Sequence, residues 1–333
     1  MTDAALSTAA AATVAGPATG ATPTGDPAGP DPLGLPPRRQ AAGVAARDRL
    51  RRGVLALVAL VLLCAVWEGY KAVGSPQGTR LWGAPVLPRT TDAAMPHVWS
   101  VLAELGRPEL SLRDDRTVGE SVLRGMWFSL RVALAGFGVG VGVGVLLAVA
   151  MARLRVLERG LLPYVIASQT IPLVALAPLV AGWGGRLHLG GLAWQRWMSV
   201  ALIAAYLAFF PVAVGMLRGL QAPAAESVEL MRSYAASWWQ TLIRLRLPAS
   251  VPYLMPALRL AAASAVIGTV VAEISTGTRG GVGRLIIDYS MSASSDATRL
   301  YDAVLGAAAI GLVMAAAVAL LEAAVGRRWG RHA

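Results

Sequence analysis

The stretch AAESVELMRSYAASWWQTLIRLRLP, residues 224–248, lies between two apolar segments that are each long enough to cross a bilayer. Its pattern predicts two short helices with a corner between them. The first helix runs from about Pro223 to Tyr234 and carries Glu226 and Glu229 in its early turns, where negative charge suits the helix dipole. A loop between spans needs such a regular design only if something docks on it.

The second helix of this stretch has its own start signal, because Ser237 and Gln240 have the spacing of a capping box. One apolar face follows at helical spacing, formed by Trp238, Thr241, Leu242 and Leu245. We expect Pro248 to end this helix and the next span to begin immediately. The alternative is an amphipathic, basic loop that lies on the membrane surface.

The composition of the chain indicates a membrane protein. Of its 333 residues, 56% are hydrophobic and only 15% are charged, and the mean hydropathy is +0.57. Apolar runs of about 20 residues, the length that a bilayer requires, place the chain among all-α membrane proteins. The single cysteine, Cys64, allows no internal disulfide.

The apolar runs predict six transmembrane helices, at about residues 53–73, 126–151, 161–183, 197–217, 251–274 and 300–325. Around them we expect four further parts: a disordered cytoplasmic tail (1–45), an extracytoplasmic loop (74–120), a core (121–325) with loop 221–248, and a basic cytoplasmic tail (326–333). A short amphipathic piece is expected at 98–105, and Thr117 with Glu120 has the spacing of a second capping box.

Arginines near the span ends predict the orientation. Basic residues just before the first span favour the cytoplasm, which places both termini and loop 221–248 inside. Four arginines on the opposite side weaken this bias: Arg186, Arg196, Arg279 and Arg284. The net charge of +11 is therefore explained by topology and contact with anionic lipid, and not by nucleic-acid binding.

The second span carries glycines in two series, 136/140/144 and 138/142, which predict close packing of a neighbouring helix. A dinucleotide-binding loop is not expected, because Val143 occupies the position of the last required glycine.

The third span contains prolines at 163, 172 and 178 and a polar run at 168–170. Interrupted helices at membrane depth are tolerated where the freed backbone lines a cavity or packs on protein, so this span either lines a pathway or is a kinked packing helix. The fourth span contains Tyr206. At the end of the fifth, near the outer surface, Glu273 is either part of an outer gate or receptor contact, or an ordinary interfacial charge.

Loop 221–248 resembles the cytoplasmic loop of the permeases of binding-protein-dependent ABC importers, whose signature is Glu-Ala-Ala, three residues, Gly, nine residues, then Ile-x-Leu-Pro. In register, Glu229 takes the Glu, Ala235 takes the Gly, Leu245 takes the Ile, and Leu247-Pro248 match outright. Leu230 and Met231 replace the two alanines. Because alanine tolerates positive φ less well than glycine, the corner at Ala235 is either not left-handed or strained by roughly 1 kcal/mol.

The resemblance implies a type I ABC importer permease-like fold and a coupling helix that enters a groove on an ATP-hydrolysing subunit. On this chain the coupling residues would be Glu226, Glu229, Arg232, Tyr234, Ala235, Leu245 and Pro248. Our candidates for lining the pathway are Ser168, Gln169, Thr170, Pro172, Tyr206 and Glu273.

The resemblance extends over about residues 80–325, where segments 169–178 and 257–273 look like the branch that handles sulfonates, taurine, nitrate and vitamin precursors. It implies three kinds of partner: cytoplasmic ATP-binding subunits, an extracytoplasmic substrate-binding protein and a second permease subunit, here as a homodimer. The location it implies is the bacterial cytoplasmic membrane, with several crossings of the bilayer.

Catalytic chemistry by this chain is not expected. A P-loop needs a lysine in Gly-x4-Gly-Lys-Ser/Thr, and the only lysine, Lys71, ends the first span. His97, His188 and His332 are scattered, so we expect no metal site and no cofactor. The alternative function is a gradient-driven secondary transporter or channel, which would require paired carboxylates within spans or two matching halves with broken helices.

Overall fold

The structure is a computed structural model that describes residues 38–76, 78, 80–81, 84–85, 89–109, 116–186, 188–189, 192–294 and 296–329. The chain divides into two units, one that ends at Leu63 and one that runs from Cys64 to Ala333. Residues 1–37 of the expected disordered tail (1–45) lie outside the described residues. Residues 38–45 of that tail are helical, because the first helix begins at Arg38.

The described part of the chain is almost entirely helical. Its helices are α1 (Arg38–Val73), α2 (Val98–Glu104), α3 (Val118–Arg153), α4 (Arg155–Ser168), α5 (Leu173–Gly184), α6 (Arg196–Gln221), α7 (Ala225–Ser233), α8 (Trp238–Thr241), α9 (Leu247–Thr276), α10 (Val282–Ser290) and α11 (Thr298–Trp329). A π-helical turn, Leu242–Arg246, joins α8 to α9. Two antiparallel hairpins of two-residue strands, β1 (Arg80–Leu81) with β2 (Ala84–Pro85) and β3 (His188–Leu189) with β4 (Leu192–Ala193), complete the list.

In the part of the chain that the structure describes, five helical segments are long and apolar enough to cross a membrane: Gly53–Val73, Val118–Arg153, Arg196–Gln221, Trp238–Thr276 and Thr298–Arg327. Helices α4 and α5 meet at a bend of 102° and pass the same test as a pair, which gives six spans when the pair is counted as one broken span. The prediction of six spans in an all-α membrane protein is confirmed. The third span begins earlier than expected, at Arg155, and α11 continues into the expected basic tail.

The core forms where α3, α6 and α9 pack together. The residues that meet there are mostly small, and many are completely buried, such as Ala133, Ala204, Ala208, Ala261 and Ala265. Small side chains allow helix backbones to approach closely, and inside a bilayer helix association depends on such contacts because lipid is as apolar as leucine. The alanine-rich composition of these spans therefore produces a tightly packed three-helix centre.

The two glycine series on α3 have different environments. A Cβ atom at Gly140 would lie 2.7 Å from Ala208 Cβ and 2.8 Å from the Ala205 carbonyl oxygen of α6, and Gly136 and Gly144 meet the same helix. At Gly138 and Gly142 a Cβ atom would meet nothing within 4 Å. The predicted close packing is thus confirmed for the 136/140/144 series, and the 138/142 series lies on an open face.

The segment between the first and second spans is tied to the helices. The Lys71 ammonium lies 2.5 Å from the Asp92 carboxylate and 2.6 Å from the Met95 carbonyl oxygen. Its hydrogen bond and charge hold the pKa of Asp92 below the usual value. Glu68 contacts the His97 ring at 2.7 Å, just before the amphipathic helix α2 that the sequence predicted.

The Thr117 N-cap is confirmed, since its hydroxyl accepts from the Glu120 amide and α3 begins at Val118.

We predict opposite effects for two neighbouring glycines of α3. Gly140→Ala should lower the midpoint of thermal unfolding of the purified chain, because the new methyl group would clash with α6 and cost about 1–3 kcal/mol. Gly138→Ala is the matched control, and it should be neutral or stabilising by up to about 1 kcal/mol through helix propensity alone. Equal destabilisation by both substitutions would contradict the packing described above.

Candidate functional site

Helix α7 ends in a Schellman motif at Ala235. The Ala236 amide donates to the Met231 carbonyl oxygen at 3.0 Å, and the Ala235 amide donates to the Arg232 carbonyl oxygen at 2.9 Å. This hydrogen-bond pattern requires a left-handed residue at the position after the helix, and Ala235 has φ 51°. The corner that the sequence predicted is therefore present.

The left-handed conformation decides between the two expectations for this corner. Among the described residues other than glycine, Ala235 alone has a positive φ. Its Cβ atom makes that conformation cost about 1 kcal/mol relative to glycine. The strain is small enough for the two hydrogen bonds of the motif and the fixed helices on either side to hold the corner.

Helix α8 begins at the predicted capping box. The Ser237 amide donates to Gln240 Oε1 at 2.7 Å, and the Gln240 amide donates to Ser237 Oγ at 3.3 Å. On the predicted apolar face, Leu242 is buried against the inner ends of α3 and α6. The Arg153 guanidinium stacks over the Trp238 ring at 4.7 Å, which anchors the start of α8 to the end of α3.

The expectation that Pro248 ends the second helix is wrong. The chain continues through a π-helical turn, in which the Leu247 amide donates to the Leu242 carbonyl oxygen, and Pro248 lies in the first turn of α9. A proline is tolerated in a first turn because its missing N–H would have no partner there. Residues Trp238–Thr276 therefore form one continuous helical segment of 39 residues.

The loop exposes most of the predicted coupling residues. Glu226, Glu229, Arg232 and Ala235 are exposed, and Tyr234 is 77% exposed. Leu245 and Pro248 are half-buried. Three more large apolar side chains are exposed nearby: Leu230, Trp239 and Ile243. This exposed surface, which mixes apolar and charged side chains, has the character of a docking surface.

At the opposite end of α9, Glu273 is completely buried. Its carboxylate accepts hydrogen bonds from the Ser129 hydroxyl of α3 at 2.8 Å and from the Gly283 amide of α10 at 2.9 Å. The Ser129 oxygen in turn accepts from the Val282 amide at 2.9 Å. We call this network the Glu273 brace, because it joins α3, α9 and the start of α10.

The burial of Glu273 contradicts the expectation of an ordinary interfacial charge. The side chain is not accessible to a solute or a receptor in this structure, and its role in an outer gate stays a prediction. Close approach of the backbone makes the network possible, since a Cβ atom at Gly283 would lie 2.6 Å from Glu273 Cβ. The glycine-rich loop after the fifth span thus comes close enough for the Gly283 amide to donate to the buried carboxylate and for the Val282 amide to donate to the Ser129 hydroxyl oxygen.

Sequence reasoning missed Ser129 and the whole of α10. The signal for α10 was present, because Val282, Leu285, Ile286 and Tyr289 have helical spacing and all four are at least half-buried. Burial, together with the nearby Glu109 carboxylate that accepts from the Tyr289 hydroxyl at 3.0 Å, raises the pKa of Tyr289 well above its ordinary range. No local signal in the sequence paired Ser129 with Glu273.

The third span breaks at the polar run. Pro172 disfavours helical conformation in the residue before it, and α5 restarts at Leu173. The Ser168 hydroxyl donates to the Val165 carbonyl oxygen at 2.8 Å, and the Tyr206 hydroxyl donates to the Ser168 carbonyl oxygen. Thr170 and Pro172 are exposed, and Gln169 Nε2 is buried without a hydrogen-bond partner. Five pathway candidates therefore lie at or beside one break, and Glu273 does not.

The described residues contain no group of three or more His, Cys, Asp or Glu side chains that could hold a metal ion. His188 and His332 have no described side chains.

We predict that Glu273→Ala lowers the free energy of unfolding by about 2–3 kcal/mol, because the Ser129 hydroxyl and the Gly283 amide would each lose a buried acceptor. Glu273→Gln keeps one acceptor oxygen and should cost less. The control is Glu120→Ala, which removes an exposed pair with Arg124 and should cost less than about 1 kcal/mol. Thermal unfolding of the purified chain measures all three, and a loss for Glu273→Ala no larger than for the control would contradict the brace.

Comparison with known proteins assigns this chain to a family. The model for the binding-protein-dependent transport system inner membrane component matches residues 140–330, which is more than half of the chain. The chain is 41% identical over 158 residues to the riboflavin transport system permease protein RibX of Chloroflexus aurantiacus, covering 47% of this chain and 55% of that protein. It is 36% identical over 116 residues to the formylaminopyrimidine transport permease protein ThiX of Halalkalibacterium halodurans, covering 35% and 43%.

The matched segments span about half the length of these two relatives. A solved structure of an amino acid ABC transporter with histidines is 18% identical, with a TM-score of 0.47 over 63% of this chain and 94% of that chain. The broken span, loop 221–248 and the fifth and sixth spans all lie within the residues that the family model matches. The chain belongs to the family of inner membrane components of binding-protein-dependent transport systems, and it is a multi-pass protein of the bacterial cytoplasmic membrane.

Proposed function

We propose that this chain is the permease subunit of an ABC importer, which forms the pathway for a small solute and is driven by a separate ATP-hydrolysing subunit. The observation that carries the proposal is the exposed two-helix corner at Ala235, fused directly to a membrane span. The charged and apolar side chains of this corner would form the docking surface for a partner subunit. The partner's movement would then act on the span itself.

The continuous segment Trp238–Thr276 suits the role of a lever. At 1.5 Å per residue, its 39 residues extend over about 58 Å, more than the thickness of the hydrocarbon core. Because an unbroken helix is stiff along its axis, displacement of the Trp238 end by the partner displaces the Glu273 end as well. The Glu273 brace then carries the movement into α3 and α10.

The broken span supports a pathway between two copies of the chain. Backbone that leaves the helix at membrane depth must be covered by protein or line water, because lipid offers no hydrogen-bond partners. Residues 170–172 are exposed in the single chain. A second permease subunit, in a homodimer, together with a water-filled pathway would cover them, with Ser168, Gln169 and Thr170 near the solute.

The chain lacks the lysine of a P-loop, which supports a transport subunit that does not hydrolyse ATP itself. The energy for transport would then come from ATP hydrolysis by a partner subunit. The family description supports an extracytoplasmic substrate-binding protein that delivers the solute. We propose a solute of vitamin-precursor, sulfonate or nitrate type. The relatives named as permeases for riboflavin and formylaminopyrimidine support the vitamin-precursor type.

We predict that Glu229→Arg, in the complete transporter, lowers receptor-stimulated ATP hydrolysis and solute uptake by about tenfold or more. A reversed charge in a docking surface costs several kcal/mol, and each 1.4 kcal/mol is a factor of about ten. Membrane insertion and the unfolding midpoint should stay unchanged, because Glu229 is exposed. The measurement is ATP hydrolysis in proteoliposomes that contain the permease, the ATPase and the receptor.

Glu229→Asp serves as the matched control, since it keeps the charge and should keep the coupling. Normal coupled hydrolysis in Glu229→Arg would refute the assignment of this loop. Uptake that continues without ATPase and stops when the ion gradient is collapsed would instead establish the alternative, a gradient-driven transporter.

A further inference from the structure

Arginines line a continuous surface at the end of the bundle opposite loop 221–248. Three adjoining depressions form it, between α3, the start of α6 and the segment from Thr278 to Asp288. Phe128 and Trp197 line the first two depressions, and Arg279 lines the second and third. We call this surface the arginine cleft. Its arginines are Arg116, Arg124, Arg131, Arg196, Arg279 and Arg284.

The cleft carries an excess of positive charge. Arg124 pairs with Glu120 at 2.9 Å, and Arg284 pairs with Asp288 at 2.9 Å. For Arg131, Arg196 and Arg279, no carboxylate lies within 4.0 Å in the part of the chain that the structure describes. Three guanidinium groups on one surface therefore have no carboxylate partner among the described residues.

Arg131 is the most informative of the three, because it lies inside a membrane span. It lies five residues beyond residue 126, where the expected second span begins, or about 8 Å along the helix. Its guanidinium lies 5.5 Å from the centre of the Trp127 ring. A charge within a span is expensive and points to a functional site. By contrast, Arg259 of the fifth span is paired with Glu322.

The depression around Arg131 has the size and lining of a small-molecule site. Its volume is about 300 Å³, the lower end of the range for such sites. Apart from Arg131, its lining is apolar: Phe128, Val132, Ala135 and Trp197. The open glycines Gly138 and Gly142 continue the same face of α3 towards the other end of the bundle.

The Glu273 brace positions the second half of the cleft. It fixes the amides of Val282 and Gly283, just after the loop that carries Arg279. Within that loop, a Cβ atom at Gly280 would lie 3.5 Å from the Phe128 ring, so the backbone rests on this side chain. The loop is thus held against the aromatic residue that the first two depressions share.

We propose that the arginine cleft binds the anionic group of a small organic solute, a sulfonate, phosphate or carboxylate, whose apolar body contacts Phe128 and Trp197. Guanidinium groups bind such oxyanions with paired, charge-assisted hydrogen bonds. The proposal rests on the proposed transport function for its biological role, and it narrows the solute to an anion. The headgroup of an anionic lipid carries the same kind of oxyanion. The experiment must therefore distinguish binding of a small solute from binding of a lipid.

The test is a binding titration of the full chain in nanodiscs of neutral phosphatidylcholine, with benzenesulfonate as the probe and uncharged benzenesulfonamide as its matched compound. We expect binding of the sulfonate only, weakened by added salt. Arg131→Gln and Arg279→Gln should each weaken it about tenfold or more, the loss of a hydrogen bond to a charged group. Arg186→Gln removes an exposed arginine of the same side outside the cleft, and should leave the affinity unchanged.

Three results would overturn the proposal: equal binding of the two compounds, equal affinity of the cleft variants and the wild type, or a loss of affinity in Arg186→Gln as large as in the cleft variants. If Arg131→Gln does not fold, as its unfolding midpoint would reveal, Arg279→Gln decides alone. Nanodiscs with phosphatidylglycerol separate the sources, because a cleft that serves lipid would no longer bind benzenesulfonate there, and this result would also overturn the proposal. Since the titration needs neither ATPase nor receptor, its failure is distinguishable from failure of the proposed coupling.

Discussion

The architecture depends on one unbroken helical segment, Trp238–Thr276, that is fixed at both ends. At one end, Leu242 is buried and Trp238 stacks under Arg153. At the other, the buried Glu273 carboxylate collects hydrogen bonds from two other elements. Between them the segment packs on α3 and α6 through small residues. We propose that a shift at one end of this segment moves its partners at the other.

Both ends of the rod are built from polar groups whose placement leaves little freedom. The Schellman hydrogen bonds at Ala235 hold an alanine in a conformation that favours glycine. The brace holds a carboxyl side chain away from water, which is tolerable only because neighbouring groups donate to it. The proposed transmission of movement between the two ends requires such precise geometry.

The sequence alone predicted the features that depend on local chemistry. Apolar run length predicted the spans, and hydrogen bonding between near neighbours predicted the capping box at Ser237 and the N-cap at Thr117. Features that depend on distant contacts were missed. Pro248 continues a helix because a π-helical turn precedes it, and Glu273 is buried because Ser129, 144 residues earlier in the chain, supplies a hydroxyl. Three of the four arginines that opposed the expected charge bias, Arg196, Arg279 and Arg284, line the arginine cleft, but only the fold brought them together.

The proposed mechanism requires that the corner at Ala235 lies in the cytosol and binds an ATP-hydrolysing subunit. The most direct measurement places one cysteine beside it, as Ser233→Cys in a chain whose single native cysteine is removed by Cys64→Ala. A membrane-impermeant maleimide should label Ser233→Cys in inside-out vesicles but not in intact cells, and added ATPase subunit should block the labelling. Labelling from the outside of intact cells would contradict both the orientation and the mechanism.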